Sequence, residues 1–200
     1  MFPALPQSTQ DELEQLAQRY GRPLVCDVDL DVRRMFDPLD RSDRFGEVCM
    51  VVRRPDGNLL TMKKTFYPQG AFRLLTGGIN SGERVLDALL RETYEETGLK
   101  VSITRFLAAV AYSVRDKGVV PAFYTFAFLL DEVGGTLGVI DEKERVEAFC
   151  EVKPADLPKM ANYLDEIGTD YSSEIHGNWG DWGRFRAVIH RMVWEGLKTG

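Results

Sequence analysis

Cysteine is scarce in this chain: Cys26, Cys49 and Cys150 are all it has. Three scattered residues cannot build a disulfide framework, an odd number leaves one thiol free, and the spacing suits no metal site. A reducing, cytoplasmic setting is expected. Long apolar runs are missing as well. The most apolar stretch, residues 122–130, is too short for a membrane helix, which needs roughly 20 apolar residues. Residues 1–11 lack the basic and apolar regions of a secretory leader. No membrane partner is expected. Basic excess is absent too: 25 Lys and Arg against 31 Asp and Glu give a net charge of −6. That argues against nucleic-acid binding, and it requires local basic residues or a metal to meet any anionic ligand. The two histidines, His176 and His190, stand alone with no partner visible. Repeats and low-complexity tracts are absent. What remains is 200 residues, 44% of them hydrophobic, enough for one domain with a sizeable core plus extensions.

The most informative stretch is residues 77–99. Gly77, Gly78 and Gly82 permit a tight turn and a close backbone approach to a ligand. Residues 83–97 contain no Gly or Pro and are rich in helix formers, so a helix is expected there. Ser81 is placed to cap its start and Gly98 to end it in the left-handed conformation. At about 100° per residue, Leu86, Leu89, Leu90, Thr93 and Thr97 share the face expected in the core. Glu92, Glu95 and Glu96 share an adjacent stripe, because residues three and four apart are helix neighbours. Crowded carboxylates repel unless compensated. The default reading is a solvated acidic face. The alternative is a cage for a hard divalent cation, which favours carboxylate oxygens.

The spacing favours the cage. The stretch resembles the Nudix box: Gly, five residues, Glu, seven residues, Arg-Glu, an aliphatic residue, one residue, Glu-Glu, one residue, Gly, an aliphatic residue. Gly77, Glu83, Arg91, Glu92, Glu95, Glu96, Gly98 and Leu99 match in register. Thr93 departs, standing where the family has an aliphatic residue. Its methyl can still pack while its hydroxyl bonds back to the Leu89 carbonyl. The resemblance implies an α/β chain, an α/β/α sandwich with a mixed central sheet.

The rest of the chain fits that order of elements. A helix is expected over residues 7–20, capped by Ser8 or Thr9, then an edge strand over 24–30. Strands at 47–54 and 59–65 form a hairpin around 55–58, and residues 72–75 form a short strand feeding the box. Two long strands, 101–113 and 119–130, are joined through 115–118. Residues 131–141 read as an acidic, glycine-rich loop, 144–152 as a strand and 154–166 as a helix. An aromatic loop over 169–182 precedes a closing amphipathic helix, 184–198. Residues 1–44 form an N-terminal extension packed on a domain spanning 45–200. Cys49, Tyr112, Trp179 and Trp182 read as packing residues.

For activity, the resemblance implies a magnesium-dependent hydrolase, with manganese as an alternative ion. The bond cleaved is the pyrophosphate of a nucleoside diphosphate linked to another moiety, a nucleotide sugar such as ADP-ribose. Pro121 falls later than the proline that marks many ADP-ribose pyrophosphatases. The rival enzyme reading is a nucleoside triphosphate pyrophosphohydrolase. A non-catalytic nucleotide-sensing module is the rival from another class, but such modules usually lose box glutamates. The partner is a small-molecule nucleotide, and a homodimer is compatible. By resemblance, Glu92, Glu95, Glu96 and the Gly77 carbonyl hold metal, Arg91 orients a box glutamate and Glu83 supports the loop. Glu92 is the favoured general base, with Glu142 and Glu144 on the late loop as rivals. Of the basic residues before the box, Arg53 and Arg73 are assigned to phosphates.

Overall fold

The computed structural model describes residues 2–32, 35–114 and 123–199. Helix α1 (Gln7–Tyr20) and strand β1 (Leu24–Leu30) come first. Strands β2 (Gly46–Arg53), β3 (Leu59–Lys64) and β4 (Arg73–Gly78) lead into α2 (Val85–Thr97). Then follow β5 (Leu99–Val114), β6 (Phe123–Gly135), β7 (Val146–Val152) and α3 (Leu157–Asp165). A small hairpin of β8 (Tyr171–Ser172) and β9 (Gly177–Asn178) precedes the closing helix α4 (Trp179–Lys198).

Among the described residues, seven strands form one mixed sheet in the order β1-β5-β6-β2-β4-β3-β7. The β1–β5 and β2–β6 pairs are parallel and the others antiparallel. Alternation along a strand sends successive side chains to opposite faces. In β2, Val48, Met50 and Val52 join one core with α1 and α2, through Leu13, Leu16, Ala88 and Leu89. Cys49 and Val51 join the other core with α3 and α4, through Leu157, Leu164, Phe185 and Ile189. The result is the α/β/α sandwich with a mixed sheet. Among the described residues, no helix is long and apolar enough to cross a membrane.

Several local expectations change. No side chain caps α1; Pro6, not Ser8 or Thr9, precedes it. Helix α2 starts at Val85 with Arg84 at the cap, and Ser81 takes no part. Gly77 and Gly78 lie inside β4 rather than in a loop. The buried stripe of α2 is Val85, Ala88, Leu89, Glu92, Thr93, Glu96 and Thr97, and Leu90 is 44% exposed. That stripe advances by threes and ones, as a 3.6-residue period requires. Ranking faces by apolarity alone rotates it away from the two glutamates it includes. The Thr93 hydroxyl does donate to Leu89 O, at 2.6 Å. Strand β6 runs on to Gly135, pairing Asp131 with Ser102, where a loop was expected. The expected aromatic loop contains the β8–β9 hairpin, and α4 begins at Trp179, capped by the Asn178 side chain on Asp181 N at 2.8 Å. The turn expected at 115–118 and Pro121 lie outside the described residues.

Candidate active site

Strand β4 and helix α2 meet at a point where two glycines make room for charge. A Cβ on Gly77 would lie 2.2 Å from the Glu92 carboxyl carbon. One on Gly78 would lie 1.9 Å from Nη1 of Arg44. Neither glycine has a positive φ, so close approach explains them. Gly82 and Gly98 are different: their φ values of 77° and 68° fall where a side chain is strained.

Arg91 ties this region together. Its Nε and Nη2 reach the two Glu83 oxygens at 2.7 and 2.8 Å, and Nη2 also reaches Gly78 O at 3.0 Å. Nη1 bonds Glu92 Oε1 at 2.8 Å and Glu95 Oε2 at 3.0 Å. Glu83 in turn accepts the Asn80 amide at 2.9 Å, and its bond to Arg91 holds its pKa below the ordinary value. One guanidinium thus fixes loop to helix through every face of its planar fork.

The carboxylates that converge are Glu92, Glu96 and Glu144, each offering an oxygen within 4.8 Å of the others. Glu144 comes from a short 3₁₀ turn, Glu142–Glu144, ahead of β7. Glu95 is turned to Arg91 instead, and Glu142 is exposed. Glu96 is fully buried, and neither of its oxygens has a hydrogen-bond partner. Burial pushes its pKa up to about 8. Burial also raises Glu92, against the pull of Arg91. Buried carboxylate oxygens are ordinarily satisfied. Three such groups facing one point, one of them accepting no hydrogen bond among the described residues and met only by an ammonium at 3.5 Å, fit a hard divalent cation.

Lys64 is one of the basic residues on the strands before the box, and its Nζ lies 2.9 Å from Glu144 Oε2 and 3.5 Å from Glu96 Oε1. Beside this cluster opens a cleft of about 350 Å³. Arg41, Arg44, Arg73 and Arg186 line it. Arg73 is 2% exposed and, among the described residues, bonds only neutral acceptors: Tyr67 Oη at 2.9 Å, Leu74 O at 2.7 Å and Thr76 Oγ1 at 3.0 Å. Arg186 pairs with buried Glu47 at 2.6 Å in the cleft floor. Arg53 is not brought here; it pairs with Asp131 at 2.7 Å and lines a separate groove. His190 gains partners that sequence could not show. Its Nε2 accepts the Leu74 amide at 3.0 Å, so Nδ1 donates to Arg186 O at 2.8 Å. This pins β4 to α4. A larger groove, about 660 Å³, separates α1 from the box turn and contains none of the three clustered glutamates.

Residues 43–170 match the NUDIX domain family. The chain belongs to the Nudix family. It is 30% identical over 161 residues to an ADP-ribose pyrophosphatase of Methanocaldococcus jannaschii, covering 80% of this chain and 88% of that one. It is 32% identical over 101 residues to the NAD-capped RNA hydrolase NudC of Shigella dysenteriae; the match covers 50% of this chain and 37% of that relative's length. A crystal structure of a UDP-X diphosphatase shares the fold, with a TM-score of 0.50, 14% identity, and coverage of 82% of this chain and 68% of that one. This Nudix chain is a pyrophosphohydrolase.

Proposed function

We propose that this Nudix hydrolase binds magnesium, or manganese in its place, through Glu92, Glu96, Glu144 and the Gly77 carbonyl. It then cleaves the pyrophosphate bond of a nucleoside diphosphate linked to another moiety. The observation that carries the reading is the buried Glu96 carboxylate, which accepts no hydrogen bond among the described residues and has only the Lys64 ion pair, joined by Glu92 and Glu144. A bound divalent cation there supplies neutralisation of the diphosphate and a more acidic water.

The chain's own groups do the remainder. Arg91 locks Glu92 Oε1 and leaves Oε2 against Gly77. A rigidly held carboxylate with a raised pKa suits removal of a proton from the attacking water. Glu95 and Glu83 hold Arg91. Arg73, with no carboxylate partner among the described residues, is available to a phosphate. An ADP-ribose-like substrate is supported by the archaeal relative, which aligns over most of both chains.

The test is a panel of ADP-ribose, NAD, a UDP-sugar and deoxynucleoside triphosphates, with products identified by phosphorus NMR. We expect magnesium-dependent release of AMP from ADP-ribose, abolished by chelator. Triphosphates turned over best would move the chain to the triphosphate class. Glu96→Gln should lose most turnover and the magnesium-induced rise in melting temperature. Retention of both would remove Glu96 from the metal site.

A further inference from the structure

The carboxylate cluster already holds a cation, and it belongs to the chain. Lys64 ends β3 where the pairing with β7 shifts register between Lys63 and Lys64. A bulge of this kind re-aims a side chain. Both side chains are largely covered, but their partners differ: Lys63 pairs with Glu147 at 2.6 Å, whereas Lys64, 15% exposed, is aimed at the carboxylate cluster. Its ammonium contacts Glu144 Oε2 and Glu96 Oε1, on two of the residues proposed above to hold metal. No other ion pair to Glu96 occurs among the described residues.

We propose that Lys64 is a placeholder cation: it occupies the Glu96–Glu144 pair in the metal-free enzyme, and metal loading releases it onto a substrate phosphate. The inference rests on the metal site proposed above. An ammonium and a dication drawn to the same carboxylate pair repel strongly in so buried a setting. One must move. The lysine stem is flexible and its head is a compact point charge, so Lys64 is the group that gives way. A displaced, mostly buried ammonium then needs a new anion. The cleft it lines also holds Arg73, which has no carboxylate partner among the described residues, so a diphosphate entering there meets both cations. Metal and diphosphate therefore bind with positive coupling through Lys64.

The experiment uses the full chain and two variants, Lys64→Met and Lys64→Gln, the second keeping a polar head should the first fold poorly. Calorimetry measures magnesium affinity alone, then the affinity for imidodiphosphate at saturating magnesium. Steady-state kinetics on ADP-ribose follow. Without the competing ammonium, magnesium should bind several-fold tighter. Imidodiphosphate should bind about tenfold weaker or worse, and kcat/KM should fall by at least as much, the loss of one charge-assisted contact. Metal affinity that is unchanged or weaker in both variants overturns the placeholder, as does undiminished diphosphate binding. Failure of the metal site itself reads differently: the unmodified chain would then bind no magnesium at Glu96, and Glu96→Gln would change nothing.

Discussion

The Glu12 carboxylate receives the first two amide protons of the box helix. Val85 N lies 3.1 Å from Oε2 and Leu86 N 3.1 Å from Oε1. Arg84 at the cap position makes no side-chain cap bond; its guanidinium instead pairs with Glu12 Oε1 at 3.5 Å, and Glu12 is 7% exposed. A residue from α1 thus supplies both the cap and the negative charge that a helix start favours. Glu12→Ala should cost about 1–2 kcal/mol in urea denaturation, the typical loss of a cap. A loss under about 0.3 kcal/mol would mean that water replaces the carboxylate there.

Leu89 and Leu90 are adjacent and apolar but should respond in opposite ways. Leu89 is fully buried between α2 and the sheet, and Leu90 is 44% exposed. Leu89→Ala should cost roughly 2–5 kcal/mol as a large-to-small core change. Leu90→Ala should stay within about 0.5 kcal/mol. Equal losses in thermal melts would contradict the orientation of the helix.

Three carboxylate variants locate the general base. Glu142 is exposed and outside the cluster, so Glu142→Gln should leave turnover nearly unchanged. Glu144→Gln should weaken magnesium binding and recover much of its rate at high magnesium. Glu92→Gln should stay a hundred- to ten-thousandfold slow at any magnesium concentration, the usual cost of losing a base. If Glu144→Gln keeps the larger unrecoverable loss and Glu92→Gln recovers, the base is on the late turn.

His190 gives a pH dependence away from the site. Burial pushes its pKa down from 6.5 to about 4. The neutral ring is the form that accepts the Leu74 amide, so the native state resists protonation. This stabilisation is complete above pH 6.5 and is lost as pH falls through 4. A shift of this size corresponds to about 3 kcal/mol. Urea denaturation of the unmodified chain and His190→Gln, compared across that window, should show a shallower decline in the variant. Parallel curves would show that His190 is as easily protonated folded as unfolded.

The Nudix box was legible because its signal is local. Residues 83–97 have helical propensity, the glycine and glutamate spacing is fixed along the chain, and alternating apolar runs mark the strands. These carried the resemblance to the family, which in turn implied the sandwich, and they gave the placement of Glu92 and Glu96 on one helix and the Thr93–Leu89 bond. Even the edge strand β1 was visible, since its residues alternate.

What sequence could not give are contacts between segments far apart in the chain. Glu12 on the box helix, Lys64 against Glu96, Glu144 beside Glu92 and His190 under Leu74 each join separate elements. Propensity and periodicity report on neighbours within a turn or a pleat. Which glutamate of the stripe goes inward is set by how α2 lies on the sheet. That orientation buries Glu96, leaves Glu95 to Arg91 and brings the late turn's Glu144 into reach. The chain's order fixed the chemical groups available, and only the packing of helix on sheet decided which of them face one point.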